Sequence, residues 1–185
     1  MGNSDPPQDA SDSQLARELL LTEFTTTGPD LGWYVLNDNV MGGQSAGSFN
    51  HERGKLTFSG YTNTSGGGFS SIRTKTLKLN LSAYAGIRLK VQGDGRTYTW
   101  RLSTDAFWHA TPIGYWADFE THSGTWITIS IPFSSFTPRV RGQQLDGPAL
   151  DPGRITGMGL MIYDRQDGPF EMQLGSVHAY TAEAP

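Results

Sequence analysis

Between Gly86 and Gln92 the chain alternates Ile87, Leu89 and Val91 with Arg88, Lys90 and Gln92. This two-residue period belongs to a strand with one dry face and one wet face. A helix would scatter the same apolar side chains around its axis. The period returns where Leu56 and Phe58 alternate with Thr57 and Ser59, and where Phe69, Ser71 and Arg73 oppose Ser70, Ile72 and Thr74. Tyr98, Trp100 and Leu102 share a face, and Ile127, Ile129 and Ile131 alternate with Thr128 and Ser130 up to Pro132, which lacks the donor needed to continue a ladder. Gly93-Asp94-Gly95 reads as a hairpin connection between two of these runs. Two late strands are expected from Ile155 to Tyr163 and from Phe170 to Tyr180. About nine short strands with no intervening helix predict an all-β fold, a two-sheet antiparallel β-sandwich of jelly-roll form.

Composition supports this pattern. The 23 Gly and 10 Pro interrupt short elements, while 5 Trp, 9 Phe and 7 Tyr supply large packing surfaces. A chain of 185 residues suits one domain with a tail. Residues 1–19 read as a flexible N-terminal leader and 20–181 as the single domain, with a short helix after Ser13 as the alternative to direct entry into the first strand. Phe133 to Gly153 is the longest irregular connection expected.

The formal charge of -4 gives no broad attraction to phosphate backbones, so nucleic acid is not an expected partner. With 0 Cys, disulfides, thiol catalysis and cysteine-held metals are excluded. No apolar run approaches the roughly 20 residues of a membrane-spanning helix, and the first residues lack a secretory apolar core. The chain as given is therefore expected to be soluble without direct membrane insertion; its compartment stays open, and no cofactor or metal is expected.

Asn37-Asp38-Asn39-Val40-Met41-Gly42-Gly43-Gln44-Ser45 packs amides, an acid and glycines where a strand should pass into a structured loop. Ionised Asp38 accepts hydrogen bonds and can tie down several backbone N–H groups. Three readings stay open: loop organisation, a partner surface through Asn39, Met41 and Gln44, and an oxygen-held cation, although the spacing is not that of a calcium loop.

This loop belongs to a longer ordered set: Trp33, Asn37 to Gly43, Gly67-Gly68-Phe69-Ser70-Ser71, Tyr84-Ala85-Gly86-Ile87, and Trp126 followed by Ile131-Pro132-Phe133-Ser134-Ser135-Phe136. Together with Arg141-Gly142, Ile155-Thr156-Gly157 and Gly168-Pro169-Phe170, it resembles the complex I intermediate-associated protein 30 family over residues 20–180. The resemblance implies a galactose-binding-like β-sandwich, related in shape to carbohydrate-binding modules. It also implies a protein partner, such as a membrane-complex subunit or assembly factor, because mitochondrial members act as assembly chaperones for respiratory complex I. Fold alone does not carry that role over.

The expected partner-binding residues are Asn37, Asp38, Asn39, Met41 and Gln44, joined by Arg139 and Arg141, whose guanidinium groups suit an acidic partner. The alternative is a glycan site at Trp108, Tyr115 and Trp116 with Asp118 and Glu120 as hydroxyl acceptors. Alternation along Tyr115, Ala117 and Phe119 points that row at the core and leaves Trp116 with the acidic row. His109 and His122 match no zinc spacing, and Asp118 and Glu120 alone do not make a hydrolytic pair. Gly66-Gly67-Gly68 lacks the Lys and helix of a phosphate loop. The expected function is a noncatalytic protein-binding or assembly module, with a carbohydrate-binding module as the alternative.

Overall fold

Two antiparallel sheets face each other in a computed structural model that describes residues 17–182, apart from the side chains of Val40 and Met41. The strands are β1 (Glu18–Glu23), β2 (Tyr34–Asn37), β3 (Ala46–Glu52), β4 (Lys55–Thr62), β5 (Ser70–Arg73), β6 (Gly86–Gln92) and β7 (Thr97–Trp108). They continue with β8 (Thr111–Glu120), β9 (Trp126–Pro132), β10 (Thr137–Val140), β11 (Gln143–Gln144), β12 (Ile155–Ile162) and β13 (Gly168–Tyr180). One sheet runs β3-β4-β13-β6-β9 with β1 also on β13; the other runs β11-β10-β8-β7-β12-β5-β2. Residues 1–16 of the expected leader lie outside the described residues, and Glu18 and Leu19 at its end already belong to β1.

The alternating runs build one interior. Leu56, Phe58, Leu89, Val91 and Leu174 from the first sheet meet Tyr98, Trp100, Leu102, Tyr115 and Leu160 from the second, all at 0% exposure. Ile129 packs against this core but stays half-buried because β9 is an edge strand. Each fully buried aliphatic or Phe side chain contributes about 1.5–3 kcal/mol relative to exposure.

Three expectations need correction. Gly93-Asp94-Gly95 is not a hairpin turn: β6 pairs with β13 and β9, whereas β7 pairs with β8 and β12, so the chain crosses here between sheets. Period-two patterning marks a dry face but does not tell which sheet owns it. Polar anchors hold the crossing. Arg96 ion-pairs with Asp164 at 2.6 Å and donates to the carbonyls of Gly168, Pro169 and Gln166, while Asp94 accepts from the Tyr98 hydroxyl at 3.1 Å and the Glu171 N–H at 2.8 Å. Second, the segment from Phe133 to Gly153 is only partly irregular: β10 docks on β8 and β11 on β10. Third, β2, β10 and β11 are short and raise the strand number above the expected nine; segments of two to four residues carry too few alternations to be read.

Candidate functional site

On the outer face of the seven-stranded sheet, cross-strand register sets one row of side chains. Tyr34 pairs with Arg73, Arg73 with Gly159, Gly159 with Arg101, Arg101 with Trp116, and Trp116 with Thr137. Residues from β2 to β10 line one cavity of about 280 Å³, including Leu36, Arg73, Met161, Arg101, Trp116 and Arg139. The groove continues past Arg73 and Arg101 toward Tyr34 and Lys75, and past Trp116 and Arg139 toward Asp118 and Asp164.

Its chemistry is cationic and aromatic. The Arg101 and Arg139 guanidinium groups lie 5.2 and 5.1 Å from the Trp116 ring centroid, one from each neighbouring strand, and Tyr163 meets the same indole edge-on at 6.0 Å. Such cation–π contacts hold the indole upright. Gly159 leaves the space between Arg73 and Arg101 open: a Cβ there would stand 3.0 Å from the Ile72 carbonyl oxygen and 3.3 Å from Arg73 Cγ. Gly114 instead lets Arg101 and Trp116 settle onto the backbone, since a Cβ there would lie 3.0 Å from Arg101 Nη2 and 3.1 Å from Trp116 Nε1.

Among the described residues, no carboxylate ion-pairs with Arg73, Arg101, Arg139 or Arg141. Asp118 is committed to the Thr99 hydroxyl at 2.6 Å, and Asp164 to Arg96. Arg73 Nε, Arg139 Nε and Trp116 Nε1 are buried without a hydrogen-bond partner. Burial, followed by the charge of Arg73, pushes the Arg101 guanidinium down to about 9, and burial also lowers Arg73. Two like charges thus stand side by side where water is scarce.

The Asn37–Ser45 loop follows Leu36, which lines this groove together with Gly67 and Phe69. Asp38 is 0% exposed; one carboxylate oxygen accepts the Ser45 N–H at 2.9 Å and the other accepts those of Gly68 at 2.6 Å and Phe69 at 3.3 Å. Burial alone would raise its pKa, but hydrogen bonds from Ser45, Gly68 and Phe69 outweigh it and hold the carboxyl below the ordinary range. Glycines let the backbone come this near: a Cβ on Gly43 would lie 2.2 Å from Asp38 Cγ, and one on Gly67 2.7 Å from Asp38 Cβ. Asp38 therefore fastens the segment whose Gly67 and Phe69 line the groove.

The other expected residues divide by place. Asn37 accepts from the Ser70 hydroxyl at 2.5 Å and, like Asp38, is engaged within the fold, whereas Asn39 and Gln44 are exposed beside it. Met41 lies in a short 3₁₀ turn, Asp38–Met41. Arg139 and Arg141 both line the groove; Arg139 also donates to the Gly142 carbonyl at 2.9 Å, and Arg141, at φ 51°, turns the chain into β11.

Of the glycan candidates, Tyr115 is fully buried and donates to the Pro148 carbonyl at 3.1 Å, so its ring has no free face for a sugar. Trp116 stands in the groove between cations. Trp108, 47% exposed, sits beside Phe107 at the tip of the β7–β8 hairpin. Asp118 borders the groove extension, and Glu120 is exposed at the end of β8. Among the described residues, no three His, Asp or Glu side chains gather to hold a metal ion, and no helix is long and apolar enough to cross a membrane.

Arg73, Arg101, Gly114, Gly159, Met161 and Tyr163 were absent from the sequence-based set. An outward Arg on a strand looks like ordinary solvated surface. The legible signal was glycine inside strands, Gly157 and Gly159 in β12 and Gly114 in β8, which marks a place where something approaches closely.

Solved structures share this architecture. A family 11 carbohydrate-binding module of the cellulosomal cellulase Lic26A-Cel5E of Clostridium thermocellum superposes with a TM-score of 0.64 at 19% identity, covering 89% of this chain and 95% of that one. A family 30 carbohydrate-binding module does so with a TM-score of 0.58 at 14% identity over 92% of each chain. At such identities the likeness concerns the fold alone. Among curated proteins, "Uncharacterized protein C9E9.15" of Schizosaccharomyces pombe is 30% identical over 176 residues, 82% of this chain and 78% of that protein. The mitochondrial complex I intermediate-associated protein 30 of Drosophila melanogaster is 27% identical over 123 residues, 60% of this chain but only 42% of the fly protein. The pattern of the family named for that protein matches residues 22–174, and the chain belongs to the complex I intermediate-associated protein 30 (CIA30) family.

Proposed function

We propose that this chain is a noncatalytic binding module that holds a protein partner, as an assembly factor does, against the groove side of its seven-stranded sheet. The observation that carries this reading is the open groove bordered by Arg73, Arg101, Arg139 and Arg141, none of which ion-pairs with a carboxylate among the described residues. Its lining offers donors and apolar contacts, not a nucleophile beside a base. The exposed Asn39 and Gln44 extend the surface at the end held by Asp38. Membership of a family named for complex I assembly supports a protein partner, in that setting a subunit or assembly factor of a membrane complex. Affinity capture from the native cell tests the reading: the parent should retain a partner that Arg139→Ala together with Asn39→Ala releases. Equal recovery by both proteins would remove the case for this face.

One observation favours a second reading. Phe107 and Trp108 are 59% and 47% exposed at a hairpin tip, as a sugar-stacking pair needs, and the fold is that of carbohydrate-binding modules. A glycan array followed by titration of Trp108→Ala decides it; no binding at millimolar saccharide ends it.

A further inference from the structure

Arg73 and Arg101 are the least explained charges in the molecule. The chain is acidic overall, at -4, yet its carboxylates leave these two cations without an ion pair among the described residues. They flank Gly159 in register, one from each neighbouring strand, so no side chain stands between them. Trp116 adds an unpartnered indole N–H that lies, with Arg101 Nη2, over Gly114. Two planar guanidinium forks and a neutral donor around an open floor match the acceptor geometry of a carboxylate. We propose that the groove floor over Gly159 is a carboxylate site, in which Arg73 and Arg101 together clamp a Glu or Asp side chain from an acidic segment of the partner.

The depressed Arg101 pKa agrees, since an anion would relieve the repulsion between poorly hydrated like charges. An acidic polypeptide fits better than an acidic sugar, because Trp116 is flanked by Arg101 and Arg139 and presents no free face on which a pyranose could lie. Met161, Leu36 and Phe69 in the same cavity suit apolar residues next to the acid. The inference rests on the protein-partner reading and names what that partner must present.

The test is a backbone-amide NMR titration of the full chain with hexaglutamate, against hexaglutamine, oligoglucuronate and inorganic phosphate. Hexaglutamate should shift the Gly114 and Gly159 amides, weaken as salt rises, and bind Arg101→Gln or Arg73→Gln at least about tenfold more weakly. Gly114→Ala keeps both arginines but pushes the Arg101 fork and the Trp116 indole N–H aside, and should also weaken binding. Unchanged amides at millimolar hexaglutamate, or parental affinity in both Arg variants, would overturn the site. So would shifts with oligoglucuronate or phosphate but none with hexaglutamate. A captured cellular partner that Arg101→Gln still holds at parental affinity leaves protein binding standing and removes the carboxylate site. Hexaglutamate binding with no partner captured from the cell keeps the site and removes the assembly reading.

Discussion

Replacing Asp38 by Asn tests how the groove end is built, because the side chain keeps its shape while its charge and one acceptor disappear. The cheapest amide orientation leaves the oxygen on the side that serves Gly68 and Phe69 and turns the NH2 group toward the Ser45 N–H, which accepts nothing. One buried donor is stranded at about 1–3 kcal/mol, and two charge-assisted bonds become neutral ones at about 0.5–1 kcal/mol each. Partial relief of the burial cost of the charge leaves a net loss of about 2–4 kcal/mol at pH 7. Urea unfolding followed by Trp fluorescence measures it; with a slope of about 2 kcal/mol/M the midpoint falls by about 1–2 M.

The pH dependence supplies a second check. A carboxyl whose folded pKa is lowered contributes stability that is present above its unfolded value of 3.8 and is lost as pH falls through the folded one. The gap between parent and Asp38→Asn should therefore hold from neutral pH down to about 4 and shrink on further acidification. A gap below about 0.5 kcal/mol at pH 7, or one that persists unchanged through the acid limb, would refute the view that ionised Asp38 organises this loop.

Arg96→Ala should cost about 3–5 kcal/mol in the same assay, since it strands Asp164 and several carbonyls at the crossing between sheets; a loss under 1 kcal/mol would show that these bonds are replaced by water. Trp100→Ala, which empties a fully buried site between the sheets, should cost about 3–5 kcal/mol, checked by its urea midpoint. The Tyr98 phenol, pushed up first by burial and then by Asp94, should stay protonated well above the usual tyrosine range near 10 in an alkaline absorbance titration. Trp108→Ala should leave stability within about 0.5 kcal/mol, and a larger change in its thermal unfolding would mean that the indole is packed.

Much of the sandwich was legible because the alternating runs are long. Ile87-Leu89-Val91 and Tyr98-Trp100-Leu102 each commit several side chains to one face, and a slip by one residue would expose all of them. The inner row of Tyr115, Ala117 and Phe119 followed from the same period. Asp38 was legible as a residue able to gather backbone donors, but its partners Gly68 and Phe69 lie some thirty positions along the chain, and nothing local announces the meeting. Arg139 and Arg141 were singled out for their charge, whereas Arg73 and Arg101 were hidden among ordinary polar strand positions.

By itself, then, the order of residues determined which of the longer stretches are strands, which of their side chains are dry and which family pattern the chain carries. It did so through local rules of period, turn chemistry and composition. Only the tertiary structure decided that β6 and β7 part into different sheets, that β10 returns to β8, and that Arg73, Gly159, Arg101 and Trp116 stand in one row. The physical reason is that cross-strand neighbours are chosen by the joint packing of two sheets, a property of the whole molecule that no single segment encodes.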